Sequence, residues 1–533
     1  MKTLVRTIGL LILAGIIAMP AAAAELRVTG FFDTAISTEQ NISGNPADFD
    51  VTNNKDKATW ASTLSRLFFN FIASDDLRGI FAIELDAAWG APARDRLDSQ
   101  GVTLEQRGFR NAIDINNFEL KQLYVDFRIP QLPIGNRWRV GGPRFQATPL
   151  HTNLLVNVDA GGADVNLTLS PEVSLLLYYV QMEEDVERFP GSIKIGEDYL
   201  TGATLMLKPL PGLDLHFPIL YEHLQAPFGS IAGGLGTPFS GGSLRLTTTN
   251  VATEDRLYLG FDTRYRLGNL SIEPSFLYLT GTRKFCTTGQ LTGHGTSGAV
   301  SNVIGGTATT ATTACTSAPL PPLGTGVREI DINAFAGMLE LNYTIGKWLL
   351  SVQGVYSSGD KATTDRNNHG LTQGRTRGDI HLFQTAGSEL AHWTKWLSIL
   401  GTSEGGHTRQ DQSPWRLGEG SALGLDRFGR VSGAGKVEYI LTDSLIVRGT
   451  LGAVWSAETP ACPAVQRTGT VTATNPTGCA DLQRNWTGNS KYLGTEVDVF
   501  LDWTILPGLL NRIGGAYGFL GDGLQTNHGK VQN

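Results

Sequence analysis

The chain has 533 residues, 41% hydrophobic and 17% charged, with 64 Gly, 23 Pro and a formal net charge of −7. Beyond the N-terminus no apolar run reaches the roughly 18–20 residues a transmembrane helix needs, which excludes a polytopic helical membrane protein. So much Gly and Pro argues against a long helical bundle, and 10 Trp, 13 Tyr and 23 Phe argue against a disordered chain.

Met1 to Ala24 reads MKTLVRTIGLLILAGIIAMPAAAA, with Lys2 and Arg6, an apolar core from Ile8 to Met19 and the small residues Ala22, Ala23 and Ala24. This is the pattern of a cleaved signal peptide over 1–24, and it predicts export. Loss of Lys2 and Arg6 from the 43 basic residues leaves 41 against 50 acidic ones, so no basic bias points to nucleic acid.

Period-two alternation dominates the chain beyond Ala24. Phe81, Ile83, Leu85, Ala87 and Trp89 alternate with Glu84 and Asp86, and Leu123, Val125, Phe127 and Ile129 oppose Tyr124, Asp126 and Arg128. Leu213, Leu215, Phe217, Ile219 and Tyr221 oppose Asp214, His216 and Glu222. Leu257, Leu259, Phe261, Thr263, Tyr265 and Leu267 oppose Arg256, Tyr258, Asp262, Arg264 and Arg266. After Gly268-Asn269 the pattern resumes, with Leu270, Ile272, Phe276 and Tyr278 against Ser271, Glu273 and Ser275, as in a tight hairpin. Further on, Val437, Tyr439 and Leu441 oppose Lys436 and Glu438, and Leu445, Val447, Leu451, Ala453 and Trp455 oppose Arg448, Thr450 and Ser456. Leu493, Val497, Val499, Leu501 and Trp503 oppose Glu496, Asp498 and Asp502.

Short turns, at Asp75-Asp76, Pro130 to Asn136, Leu210 to Gly212, Gly268-Asn269, Thr442 to Ser444 and Leu506 to Gly508, alternate with long loops. The long ones fall near 40–59, 91–115, 224–253, 281–328, 358–430 and 457–490. Outer-membrane barrels sort their connections this way, with the short turns periplasmic. The expected fold is therefore all-β: a transmembrane antiparallel β-barrel of about 16–18 strands over 25–520, followed by a polar tail over 521–533. In lipid every backbone amide needs a protein partner, so the apolar faces look outward and the charged faces line the lumen. Predicted pore-lining residues are Glu84, Asp86, Asp126, Arg128, Arg137, Arg139, Arg256, Asp262, Arg264, Arg266, Lys436, Glu438, Arg448 and Arg512. Asp214, Glu222, Glu273, Glu340, Glu496, Asp498 and Asp502 extend the same face, where acids slightly outnumber bases. Such charges either tune ion preference or pair across strands and stiffen the wall.

Cys286 and Cys315 lie in one Thr/Gly/Ser-rich stretch, and Cys462 and Cys479 in another. Two loop-clipping disulfides are expected, since neither pair has zinc-ligand spacing or an adjacent His. Ser358 to Arg430 is too long for an ordinary loop. Within it, SELAHWTKWLSIL over 388–400 sets Leu390, Trp393, Trp396, Leu397 and Leu400 at near-helical spacing. A short helix is expected there, folded into the pore mouth or packed on the rim.

No catalytic constellation emerges, and no cofactor or metal site is expected. Gly401 to Gly405 matches G-x-S-x-G around Ser403, but it follows the candidate helix in a polar loop, where a nucleophile elbow cannot form. Asp360, Asp365, Asn367 and Asn368 lack the spacing of an EF-hand loop.

Two stretches carry a family resemblance. Ser65 to Gly90 (SRLFFNFIASDDLRGIFAIELDAAWG), with LYVDFRI at Leu123 to Ile129 and WRVGG at Trp138 to Gly142, resembles outer-membrane porins of anaerobic and metal-respiring bacteria. YLGTEVDVFLDW at Tyr492 to Trp503, GAYGFLGDGL at Gly515 to Leu524 and the SSGDK loop at Ser357 to Lys361 resemble alginate-export-type porins. The resemblance implies a Gram-negative outer-membrane porin passing small hydrophilic solutes or ions, bedded in outer-membrane lipid, and assembled either as a homotrimer, as many porins of this size are, or as a larger monomeric barrel. Two rival functions accompany it: a barrel sheath around a multihaem cytochrome, whose haems a partner would supply because the chain has no C-x-x-C-H, and an exporter of an anionic polysaccharide. The chain departs from the group after Gly521-Asp522, where the polar GLQTNHGKVQN replaces a closing strand that ends in an aromatic residue.

Overall fold

A computed structural model of the protein describes residues 25–39, 58–88, 96–97, 103–104, 118–152, 154–183, 198–224, 251–286, 327–359, 380–381, 383, 385–386, 395–401, 429–458 and 490–521. The expected signal peptide, Cys315, Cys462 and Cys479 of the expected disulfides, Ser403 and the acidic stretch near Asp360 lie outside the described residues, and Cys286 is described by its backbone alone.

The wall is an antiparallel sheet of 17 strands. Its first half comprises β1 (Glu25–Glu39), β2 (Ala58–Ser74), β3 (Leu77–Ala88), β4 (Phe118–Phe127), β5 (Gly135–Gly142), β6 (Gly161–Ser170), β7 (Val173–Glu183) and β8 (Asp198–Leu210). Its second half comprises β9 (Leu213–Leu224), β10 (Val251–Leu267), β11 (Leu270–Cys286), β12 (Val327–Ile345), β13 (Trp348–Ser357), β14 (Arg430–Thr442), β15 (Leu445–Trp455), β16 (Tyr492–Leu506) and β17 (Leu509–Leu520). Each strand pairs with the next in sequence, a meander throughout. Among the described residues there is no helix.

Every second connection is a tight turn, and all of these fall at one end of the sheet. Beyond those expected, Pro171-Glu172 joins β6 to β7 and Gly346-Lys347 joins β12 to β13. Gly212 (φ 82°) and Gly268 (φ 58°) supply the left-handed residue in their turns, a conformation a side chain would strain.

The faces are sorted as in an inside-out protein. Outward residues remain exposed although apolar: Phe32 at 76%, Ile36 at 70%, Val352 at 57%. Aromatic side chains gather near the strand ends of that face. Trp348 packs at a tilt on Tyr439, with ring centroids 4.3 Å apart, toward the turn end, and Trp455 lies 5.7 Å from Tyr492 toward the loop end. Directly opposed residues share a face, so the register places Glu438 beside Arg448 and Asp502 beside Arg512 on the inner side.

One face assignment is corrected. The alternation puts Leu493 outward, yet it is fully buried against Trp396 and Val454 inside the barrel. The β15–β16 register slips between Val454 and Trp455, and a one-residue slip turns a side chain to the opposite face.

The main apolar core also lies inside. Inward residues such as Leu200, Leu220, Tyr258, Leu277 and Ala334 pack on Phe145, Leu154, Leu155 and Val156 from a connection folded into the lumen.

Candidate functional site

Two chain segments pack against the inner face of the wall, and both are made of connections rather than wall strands. The first leaves β5 at Gly142 and returns to β6 at Gly161. It opens and closes as a small hairpin, with Arg144–Gln146 laddered to Asn157–Asp159. Its stem is fixed to β4: Gln122 Nε2 donates to Asp159 Oδ1 at 2.7 Å, and the Lys121 ammonium lies between Asp159 (3.6 Å) and Glu84 (2.9 Å). Midway, the Thr204 hydroxyl of β8 donates to the Ala147 carbonyl at 2.7 Å. Leu154, Leu155 and Val156, each at 0% exposure, form the apolar underside that seats the segment on the wall. At roughly 1.5–3 kcal/mol for each fully buried aliphatic side chain, these three give the segment a strong preference for the lumen.

Its tip docks on β10 and β11 through His151. The imidazole is 3% exposed and lies between two carboxylates, with Nδ1 2.5 Å from Asp262 Oδ1 and Nε2 2.7 Å from Glu273 Oε2. The His151 backbone N–H also donates to Asp262 Oδ2 at 3.1 Å. Around this core Ser275 donates to Asp262, and Ser271 and Arg264 donate to Glu273. Burial alone would depress the imidazole pKa, but the hydrogen bonds and charges of Asp262 and Glu273 outweigh it and raise the value to about 9. At neutral pH His151 is therefore an imidazolium donating from both ring nitrogens, and the cation offsets two buried anions.

The second segment belongs to the long connection between β13 and β14. Ile380 bridges Ile332 of β12, and Phe383 packs edge-on against Tyr258 with ring centroids 6.4 Å apart. Farther along, residues 395–401 form turns and bends; the expected helix is not seen there, and 387–394 lie outside the described residues. The N–H groups that a helix would aim at carbonyls go to carboxylates of β16 instead. Ser398 and Ile399 donate to Glu496 Oε1 at 2.6 and 2.8 Å, and Leu400 donates to Oε2 at 2.6 Å. The Ser398 hydroxyl donates to Asp498 at 2.9 Å. Lys395 pairs with Glu340 of β12 at 2.9 Å, so the segment is held from both sides. Trp396, Leu397 and Leu400 pack on Ala434, Val454 and Leu493, which puts this piece inside the lumen and not on the rim.

The predicted pore-lining residues are mostly found in cross-strand ion pairs. Glu84 pairs with Arg66 and Lys121, and Asp126 with Arg137. Arg139 holds Asp164 by two hydrogen bonds, at 3.0 and 2.5 Å. Arg256 and Glu222, both fully buried, meet at 3.1 Å, and Arg264 meets Glu273 at 2.9 Å. Lys436, Glu438, Arg448, Asp502 and Arg512 form a continuous ladder across β14 to β17, with links of 2.9, 3.0, 3.2 and 2.6 Å. Arg128 sits just past β4 at the turn end, exposed and 2.5 Å from Asp76, and Arg266 is exposed beside the β10–β11 turn. Asp86 is placed by its backbone alone, opposite Leu64 of β2.

His151 and the segment carrying it were not expected from sequence. Its stretch, PRFQATPLHTNLLVNVD over 143–159, has neither period, and its partners lie 111 and 122 residues away. The short apolar run Leu154 to Val156, a few residues after Pro143 and Pro149 and close to a strand end, was the one available signal.

No family model matches this chain, and no curated protein matches it. Among solved structures it is similar to OccK8 (OprE) of Pseudomonas aeruginosa at 10% identity, over 93% of this chain and 94% of that one, with a TM-score of 0.43. It is also similar to OccAB4 of Acinetobacter baumannii (8% identity, 92% and 93% covered, TM-score 0.42). A third is an anion-selective porin from Comamonas acidovorans (9% identity, 82% and 91% covered, TM-score 0.39).

Proposed function

We propose that the protein is an outer-membrane channel through which small hydrophilic solutes or ions diffuse passively, narrowed by the two luminal segments. The observation that carries this reading is the sorting of the sheet. Its outer face exposes apolar side chains that suit a lipid solvent, while its inner face carries charged and hydrogen-bonded ones. An anionic polysaccharide would need a run of basic groups available to it, whereas most of the basic residues named above, Arg266 excepted, are engaged with carboxylates. Two of the chain's own segments pack on the inner face a cytochrome sheath would present to its partner, which supports the channel over the sheath. The likeness to alginate-export-type porins is accordingly read as one of wall strands and not of cargo.

Single-channel recording of the refolded chain in a planar bilayer tests the proposal. Steady ohmic steps are expected, with a reversal potential under a salt gradient showing weak cation preference, because the inner acids slightly outnumber the bases and most are paired. An intact barrel by circular dichroism and heat-modified mobility, yet silent at all voltages, would sink the channel reading.

A further inference from the structure

At the loop ends of β7 to β10 the outer face changes character within one step of the register. Directly opposed residues share a face, so Tyr179 lies level with Tyr221, and one same-face step nearer the loops Tyr199 lies level with His223 and Asp255. The alternate residues Tyr178, Leu200, Leu220 and Arg256 are buried inside, which puts these two rows on the lipid side. Toward the turns that same face is apolar and exposed, with Leu177 at 37%, Ile219 at 45% and Leu259 at 38%. Leu213 to Tyr221 of β9 covers about 27 Å of strand, or about 20 Å of depth at barrel tilt, most of the height of an apolar band. His223 and Asp255 therefore stand at its outer boundary.

Four rings meet at this boundary. The Tyr199 ring centroid lies 5.8 Å from that of Tyr179, 6.1 Å from Tyr221 and 5.5 Å from His223. One carboxylate ties two of them together: the Tyr221 hydroxyl donates to Asp255 Oδ1 at 2.6 Å, and His223 Nδ1 lies 2.6 Å from the same oxygen. We propose that this patch docks the sugar headgroup of a glycolipid in the outer leaflet, whose acyl chains lie along Leu177, Ile219 and Leu259. The proposal rests on the placement of the wall in the membrane and not on the channel reading. Polarity names the occupant. A sugar ring offers a C–H face, which the negative face of an aromatic ring attracts, and a rim of hydroxyls, which donate to a carboxylate. The Asp255 carboxylate repels a phosphate, so the contact is with the sugar itself. An aromatic girdle needs rings alone, and a carboxylate facing hydrocarbon would be uncompensated; at the band's edge Asp255 meets hydroxyl groups instead. Its side chain is 31% exposed and that of His223 18%, so a headgroup reaches both.

Native mass spectrometry of the refolded chain in detergent, titrated separately with lipooligosaccharide and with phosphatidylethanolamine, tests the proposal. The wild type should hold one lipooligosaccharide at concentrations where phosphatidylethanolamine leaves no adduct. Tyr199→Leu combined with Tyr221→Leu should weaken that adduct about tenfold, because both rings are lost while the lipid-facing surface stays apolar. Asp255→Asn, a change of one atom, should weaken it as well. Trp348→Leu combined with Tyr439→Leu removes an aromatic pair at the turn end and should leave the adduct unchanged. Heat-modified mobility checks that each variant is folded. Equal adducts for the two lipids, or a lipooligosaccharide adduct that survives both the Tyr199/Tyr221 and the Asp255 changes, overturn the docking surface. So does an adduct lost equally on changing the turn-end pair, since any aromatic girdle would then suffice.

Discussion

His151→Leu is expected to loosen the luminal segment between β5 and β6 and to produce larger, noisier single-channel steps with a lower unfolding temperature. The substitution keeps volume but removes the cation between Asp262 and Glu273. Two carboxylates then share a buried site with Arg264 alone to offset them, and breaking a buried ion pair costs about 3–5 kcal/mol. The apolar underside at Leu154 to Val156 still favours the wall, so the segment should fluctuate about its stem and not leave the barrel. The hairpin at Arg144–Gln146 and the contacts of Asp159 with Gln122 and Lys121 hold that stem.

The same clamp sets a pH window. The folded His151 pKa of about 9 lies above its ordinary 6.5, so its stabilisation is complete below about pH 6.5 and is lost as pH rises through about 9. A difference of that size corresponds to about 3 kcal/mol. Conductance should therefore be steady below about pH 6.5, change progressively above it and approach that of His151→Leu above pH 9, with the variant flat over the same range. The groups facing the ring are Asp262 and Glu273, with Arg264 and His216 next to them, and none of the basic ones can replace the imidazolium bridge. A wild type whose alkaline and neutral traces coincide, or a variant that keeps the alkaline response, would remove His151 from the gate.

The wall and the contents of the barrel were unequally legible in sequence. Alternation such as that of Leu257 to Leu267 is a local property: one face meets lipid and the other meets polar groups, so the pattern survives without knowledge of any partner. The same holds for turns such as Gly268-Asn269, where the required conformation selects the residue. The luminal segments obey no local rule. Leu154, Leu155 and Val156 are consecutive apolar residues buried by strands far along the chain, and residues 395–401 have helical spacing but spend their N–H groups on Glu496 and Asp498. Leu493 reads as outward because a register slip is not visible in one strand alone. The charges were legible as inward-facing, but whether each is solvated or paired depends on register. Arg139, for example, reads as a lumen charge and is bonded through two nitrogens to Asp164.

Glu496→Ala is expected to free the second luminal segment, since it removes the acceptor for three backbone N–H groups at once. Each buried donor left unsatisfied costs about 1–3 kcal/mol, and Asp498, which already accepts from Ser398, cannot reach all three. Gly452→Val should arrive at the same state by a different route. A Cβ at Gly452 would stand 2.7 Å from Leu397 Cδ2 and 2.9 Å from the Ala434 Cβ, so the wall could no longer seat Leu397. One variant acts on hydrogen bonds and the other on packing, and a shared outcome would locate the effect in the segment they both hold. That outcome is faster proteolysis within 358–430 from the loop side and frequent brief openings above the wild-type level. Glu340→Gln, which weakens the Lys395 contact on the opposite flank, should do the same to a smaller degree because the Glu496 bonds remain. If Glu496→Ala and Gly452→Val both keep wild-type proteolysis and current traces, this segment does not restrict the flow path. The constriction then falls to the His151 segment alone, because that is the other described piece of chain crossing the lumen.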